Sequence, residues 1–229
     1  METLYNGFTL KIAPGTFPLS TDSMVLADFV RLPKQARVLD LGAGCGTLGL
    51  MLCAKDPNCH LTGIELDDKA HQWALKNIAA NNLQDRMGSL HGDLTDIGSH
   101  VRAGSFDVCL SNPPYFTAGF RSNTTPLARH EDSCSLDALF HSAAWALKYG
   151  GDFFLVHKPE RLAEIMLAAC THKLEPKRLC LVRHKENGPV ALTMLQCRKG
   201  GKPGLTWEEL ILCDRNGQPT EDYRRIYHL

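Results

Sequence analysis

Short apolar runs alternate with amphipathic stretches along most of this chain. Arg37-Val38-Leu39-Asp40-Leu41 is brief, apolar and β-branched at its start, which predicts a buried strand. Leu61-Thr62-Gly63-Ile64-Glu65 predicts a second strand, residues 88–91 a third, 106–110 a fourth and Phe153-Phe154-Leu155-Val156 a fifth. Helical patterns fall between them. Residues 47–55 have helical character, and Ala70, Trp73, Ala74 and Ile78 share one helix face behind Asp67, a natural N-cap. After Ser135, the residues Leu136, Leu139, Phe140, Ala143, Ala144 and Leu147 recur at helical spacing, and Gly150-Gly151 is expected to stop that helix. Pro159 opens another, with Leu162, Ile165, Met166 and Ala169 on one side. Upstream, residues 1–22 are polar and Pro/Gly-punctuated, with a short strand expected at 9–12. A helix is expected from Asp22 or Ser23 through Met24-Val25-Leu26-Ala27-Asp28-Phe29-Val30, ended by Pro33.

Two late strands, 178–184 and 190–198, flank Lys185-Glu186-Asn187-Gly188-Pro189, where Asn-Gly suits a hairpin turn, so they should run antiparallel. The β-α alternation and terminal hairpin imply an α/β fold whose sheet is mainly parallel with one reversed strand. No internal repeat interrupts it. The expected organisation is a lid and helix segment at 1–35, a catalytic domain at 36–199, and a C-terminal extension at 200–229 packed on the same domain. Residues 209–213 of that extension have strand character.

Composition narrows the classes. The 229 residues are 44% hydrophobic and 22% charged, ample for a packed core and unlike a disordered chain or a disulfide miniprotein. Lys plus Arg and Asp plus Glu number 25 each, so any polyanion must bind a local patch rather than an overall basic field. The nine cysteines contain no C-x-x-C pair and lie in apolar stretches, which reads as buried thiols in a reducing compartment. The first residues lack the basic and apolar regions of a signal peptide, and no apolar run approaches the roughly 20 residues that span a bilayer. A cytoplasmic protein without membrane association is the expectation. The ten histidines show no metal-ligand spacing, so no metal is expected.

The sharpest local signal is Asp40-Leu41-Gly42-Ala43-Gly44-Cys45-Gly46-Thr47-Leu48-Gly49, where a strand turns into a helix. Gly44 to Gly49 satisfies G-x-G-x-x-G, the dinucleotide fingerprint, with Glu65 as the ribose acid. The competing reading is a loop for S-adenosylmethionine. Position favours the second: the fingerprint's first glycine should follow the strand directly, and the frame starting at Gly42 fails because position 47 is Thr. Asp40 also makes sense opposite an ammonium group and none opposite a pyrophosphate. Glu65 would accept from the ribose hydroxyls, and Asp93 in Gly92-Asp93-Leu94 would lie near the adenine amine. The bland alternative is a set of tight turns with solvated carboxylates. Three acids at the carboxyl ends of successive strands, where open α/β sheets bind ligands, argue against it.

Asn112-Pro113-Pro114-Tyr115 follows the fourth strand. An amine conjugated to a purine or carbonyl is planar and a poor nucleophile, and attack requires its lone pair to leave that conjugation. The Asn112 side-chain oxygen and the Pro113 carbonyl could accept both N–H groups and favour the pyramidal form as positive charge develops. Pro113 and Pro114 restrict the backbone and hold those acceptors in place. Tyr115, with Phe116, offers a ring for stacking on a planar substrate. A Pro-rich turn leaving a strand is the structural alternative.

With these motifs together the chain resembles class I S-adenosylmethionine-dependent methyltransferases that modify amino groups, whose members act on adenine in DNA or RNA or on a release-factor glutamine amide. Its flanks, Asp22-Ser23-Met24-Val25-Leu26-Ala27-Asp28-Phe29, Ala128-Arg129-His130-Glu131 and Val156-His157-Lys158-Pro159-Glu160-Arg161-Leu162, are similar to bacterial tRNA(Val) adenine-N6-methyltransferases. The resemblance implies a Rossmann-like, seven-stranded, mostly parallel sheet with one antiparallel strand. It also implies direct in-line methyl transfer to the N6 amine of an adenine beside the anticodon, with Asn112, Pro113, Pro114 and Tyr115 catalytic. The implied cofactor contacts are Asp22, Asp40, Gly42, Ala43, Gly44, Gly46, Glu65, Leu66, Asp93, Leu94 and Asn112. Cys45 departs from the small hydroxyl residue expected in the loop, and the first 20 residues match poorly.

The substrate partner implied is tRNA, with the protein a monomer or weak homodimer. Tyr115, Phe116, Arg121, Arg129, His130 and Lys158 are the candidate substrate contacts. Arg121 and Arg129 lie in a long insertion at 116–134, and Lys158 and Arg161 extend the same rim toward tRNA phosphates. A solvated loop with Glu131 and Asp132 cancelling its charge reads equally well. Three other functions stay open. A release-factor glutamine methyltransferase would carry a long helical domain before its first strand, where about 35 residues stand here. A silent cofactor-binding module sits poorly with an intact Asn112 and Asp40. A nicotinamide dehydrogenase would show itself by binding NAD and not S-adenosylmethionine.

Overall fold

A computed structural model of the chain describes residues 2–4, 7–12, 19–115 and 135–229. The N-terminal strands β1 (Glu2–Thr3) and β2 (Thr9–Leu10) pair antiparallel. Helix α1 (Thr21–Phe29) leads to an alternating series: β3 (Arg37–Leu41), α2 (Thr47–Lys55), β4 (His60–Glu65), α3 (Asp68–Ala80), β5 (Met87–His91), α4 (Ile97–His100) and β6 (Phe106–Ser111). Then come α5 (Leu136–Ala146), β7 (Leu147–His157), α6 (Leu162–Thr171), β8 (Leu174–Lys185), β9 (Val190–Lys199), β10 (Thr206–Cys213) and α7 (Glu221–Tyr227).

The main sheet has the order β10-β8-β9-β7-β6-β3-β4-β5. Strand β9 runs antiparallel to both β7 and β8, and the remaining pairings are parallel. The apolar runs follow from burial on both faces, because successive side chains point to opposite sides of a strand. Val38, Val108, Leu110 and Phe154 pack in one core with Phe29, Leu50 and Leu52. Their neighbours Leu39, Cys109 and Phe153 pack in the other with Phe140 and Ile165. Burial pushes the thiols of Cys109, Cys180 and Cys197 up, consistent with cysteines used as small apolar groups. Among the described residues, no helix is long and apolar enough to cross a membrane.

Three expectations need correction. The sheet has eight strands rather than seven, because residues 206–213 add β10 in parallel beside β8. Helix α1 is capped by Ser20, whose hydroxyl accepts from the Ser23 amide, rather than by Asp22 or Ser23, and it ends at Phe29, well before Pro33. The helix begun after Ser135 stops at Ala146 rather than at Gly150-Gly151. Leu147 already opens β7, pairing with Phe106, and the next pair is Val108 with Asp152. Residues 148–151 therefore bulge out of the ladder, with Gly150 at φ 82°, a conformation glycine takes without strain.

Candidate active site

The glycine loop leaves the carboxyl end of β3 and enters α2. Gly42, Gly44 and Gly46 have φ values of 77°, 55° and 83°, so the sequence of glycines answers a left-handed backbone. No heavy atom lies within 4 Å of where a Cβ would stand on Gly42 or Gly44, so the loop presents open backbone. The amides of Gly42 and Ala43 both donate to the Ile64 carbonyl at 3.0 Å. The Ala43 methyl comes so near β4 that a Cβ at Gly63 would lie 2.7 Å from it.

Glu65 closes β4 and staples this loop. One carboxylate oxygen accepts from the Gly44 amide at 2.7 Å, the other from the Asp67 amide at 2.8 Å. Asp67 in turn caps α3 through the amides of Lys69 and Ala70. Asp40 stands apart. It is 1% exposed, and its Oδ1 is the buried side-chain polar atom without a hydrogen-bond partner among the described residues. Burial, and secondarily the charge of Glu65, pushes its carboxyl up to about 8. A cationic group brought to that oxygen would remove the penalty. Beyond β5, Asp93 caps a 3₁₀ turn by accepting from the Thr95 amide at 2.8 Å. The Leu94 side chain enters the second core, while Leu66, between β4 and α3, is 37% exposed.

The Asn112 turn adjoins the loop. Strands β3 and β6 pair Asp40 with Leu110, and the Ser111 hydroxyl donates to the Leu41 carbonyl at 2.6 Å, so Gly42 and Asn112 leave the sheet side by side. The Asn112 Oδ1 accepts from the Tyr115 hydroxyl at 3.0 Å, and its Nδ2 donates to the Ser23 hydroxyl at 3.1 Å. Pro113 is half-buried and Pro114 exposed. Burial first, then the negative charge of Asp22, push the Tyr115 phenol up. Helix α1 thus brings Asp22 and Ser23 to the turn.

His157, at the carboxyl end of β7, stands edge-on to the Tyr115 ring with centroids 5.0 Å apart. It is 2% exposed, burial pushes its imidazole pKa down, and its Nδ1 accepts from the Lys158 amide at 2.8 Å. The Lys158 ammonium lies 5.3 Å from the centroid of the same Tyr115 ring. Phe116, Arg121, Arg129 and His130 fall outside the described residues. A concavity of 720 Å³, lined by Arg31, Lys148, Lys177, Arg178 and Arg198 among others, opens where β6 and β8 begin, at the opposite edge of the sheet. Among the described residues, no group of three or more His, Cys, Asp or Glu is placed to hold a metal ion.

Ser23 and His157 also border this turn, though the sequence offers the first as a helix cap and both within flanking motifs, with no role at the site. His157 could have been found from its place at a strand's carboxyl end. Ser23 carries no such signal, since its partner Asn112 lies 89 residues away.

Known proteins share this architecture. A predicted O-methyltransferase from Agrobacterium tumefaciens superposes with a TM-score of 0.76 at 20% identity, over 91% of this chain and 96% of that one. The geranyl diphosphate C-methyltransferase of Streptomyces coelicolor, solved with S-adenosyl-L-homocysteine, superposes at 0.59 and 12% identity, over 77% and 79%. In sequence, the chain is 28% identical over 204 residues to the tRNA1(Val) (adenine(37)-N6)-methyltransferase of Photobacterium profundum, covering 87% of this chain and 85% of the relative. It is 35% identical over 155 residues to the protein of the same name from Porphyromonas gingivalis, covering 65% and 61%. The family model described as "Methyltransferase small domain" matches residues 15–176, a span that holds both the glycine loop and the Asn112 turn, and the chain belongs to that methyltransferase family.

Proposed function

We propose that this protein transfers a methyl group from S-adenosylmethionine directly, in line, to the N6 amine of an adenine in tRNA. The observation that carries the reading is the juxtaposition of the Asn112 turn and the glycine loop, tied by the Ser111–Leu41 hydrogen bond. The names of the tRNA1(Val) relatives support the choice of tRNA and of adenine.

The residues present fit the cofactor. The unpartnered Asp40 Oδ1 suits its ammonium group, and the open backbone at Gly42, Ala43, Gly44 and Gly46 leaves room for a close approach. Glu65 retains lone pairs for ribose hydroxyls beside its two amide bonds, and Asp93 retains an oxygen for the adenine amine. Asp22, Leu66 and the Leu94 backbone border the same edge of the sheet. When bound, S-adenosylmethionine supplies an electrophilic methyl on a sulfonium.

The chain's own residues do the rest. Asn112 Oδ1 and the Pro113 carbonyl accept the two N–H groups of the target amine and draw its lone pair out of conjugation as charge develops. The Tyr115 hydroxyl, which occupies Oδ1 here, gives way to that amine, and its ring becomes a stacking surface for the base. Pro113 and Pro114 keep the acceptors in place. Lys158 on the rim meets phosphate, as do Arg121 and Arg129, while Phe116 adds a ring for stacking and His130 a further substrate contact. The methylated amine releases its proton to water, so no general base is required.

Incubation with radiolabelled cofactor and tRNA transcripts, followed by mass spectrometry of the nucleosides, tests the reading. N6-methyladenosine should form, and Asn112→Ala should lower kcat by roughly 10²–10³-fold with little change in cofactor affinity. Label on a release factor and none on tRNA would favour the glutamine-amide reaction. Full turnover by Asn112→Ala would place the chemistry elsewhere.

A further inference from the structure

We infer that Ser23 is a positioning residue for methyl transfer, holding the Asn112 side chain in the place from which its oxygen meets the incoming amine. The inference rests on the methyl-transfer reading above and adds to it the group that places its acceptor.

The two ends of an asparagine amide have nearly the same shape and opposite chemistry. A half-turn about its last torsion exchanges an acceptor oxygen for an NH₂ donor. An incoming amine needs the oxygen; a flipped side chain would set N–H against N–H. In this structure the amide has two side-chain partners. Nδ2 donates to the Ser23 hydroxyl at 3.1 Å, and Oδ1 accepts from the Tyr115 hydroxyl at 3.0 Å. The second partner is the one a substrate amine must displace. A serine hydroxyl donates or accepts, so once Tyr115 has moved the bond to Ser23 fixes where the amide stands, and the two N–H groups of the incoming amine select the orientation with Oδ1 toward them.

Ser23 is suited to this. It is 7% exposed, so water does not readily take its place, and it stands on a helix held from both ends. The Lys55 ammonium donates to the carbonyls of Ala27, Asp28 and Val30 at 2.9, 3.0 and 2.8 Å, closing the C-terminal end of α1. At the other end the Tyr227 hydroxyl donates to Thr21 Oγ1 at 3.0 Å. Arg225 of the same helix α7 pairs with Asp28. The 89 residues separating Ser23 from Asn112 are bridged by a braced element, so the contact is not a local accident of the turn.

The test compares the wild type with Ser23→Ala and Ser23→Thr, measuring kcat and KM on the methylated tRNA and the cofactor dissociation constant by calorimetry. Removing the hydroxyl should lower kcat about 10-fold, the scale of one hydrogen bond, with KM and cofactor affinity within about 2-fold. Ser23→Thr, which keeps the hydroxyl, should recover kcat to within about 3-fold of the wild type. Wild-type turnover by Ser23→Ala overturns the role. So does a loss in Ser23→Ala matched by equally weakened cofactor binding, which marks a merely structural residue. A Ser23→Thr protein that binds cofactor normally and is as slow as Ser23→Ala overturns it too. An active wild type separates these outcomes from failure of the parent reading, because a wild type that labels no tRNA overturns both.

Discussion

Asp40 shows how strongly the environment of one residue decides its chemistry. In water its carboxyl would titrate near 3.8; on the buried central strand it is pushed up to about 8, chiefly by burial and then by Glu65. A folded-state value above the unfolded one means that the folded protein holds the proton more tightly. The resulting stability is fully present below about pH 4 and is lost as pH rises toward 8. Without cofactor, thermal melts between pH 4 and 9 should therefore show the wild type falling relative to Asp40→Asn by on the order of a few kcal/mol, then levelling above pH 8. Parallel curves for the two proteins would show that Asp40 keeps an ordinary pKa. At this scale the acids were legible in the sequence, because each lies at or just past the carboxyl end of a strand-like run. Their present partners were not: Glu65 is engaged by Gly44, 21 residues away, and by Asp67, while only Asp40 of the pair keeps an unpartnered oxygen.

At the scale of elements, α1 is the piece whose placement reaches the site, and Lys55 anchors its C-terminal end. Three carbonyls left over at the helix end converge on one ammonium group, a charge-assisted arrangement. Lys55→Met keeps the apolar stem and removes those bonds. It should cost about 2 kcal/mol, a fall in Tm of roughly 4–8 °C by calorimetry. A change under about 1 °C would mean that water caps the helix equally well. The elements themselves were largely legible: β3 and α2 span the very residues whose pattern predicts them, and Asp67 caps α3 as its position suggests. The boundary between α5 and β7 was not. Leu147 continues the helical spacing of Leu139 and Ala143, yet pairing with Phe106 draws it into the sheet. Tertiary hydrogen bonding outweighs a local periodicity that both outcomes satisfy.

Over the whole molecule, charge is balanced in number. Asp40, Glu65 and Asp93 lie toward the carboxyl edge of the sheet, and at the opposite edge Lys148, Arg178 and Arg198 are paired with Asp107, Glu208 and Asp152. A polyanion approaching the Asn112 turn therefore relies on a few cations near it, and Lys158 stands at the Tyr115 ring. Lys158→Ala should weaken tRNA binding and reduce the slope of log K against log salt by about one, read by filter binding across a salt series. An unchanged slope would remove Lys158 from the phosphate contacts.

The pattern of apolar runs, helix faces and turn residues was enough to determine the α/β class, the parallel sheet with its reversed strand, the glycine loop and the Asn112 turn. Each is written in residues close together in the chain, where propensity and periodicity act. The parallel place of β10 beside β8, the brace on α1, the Ser23–Asn112 bond and the seat of His157 beside Tyr115 were decided only by tertiary structure. They join residues tens to hundreds of positions apart, and a contact between distant segments leaves no period in a single sequence.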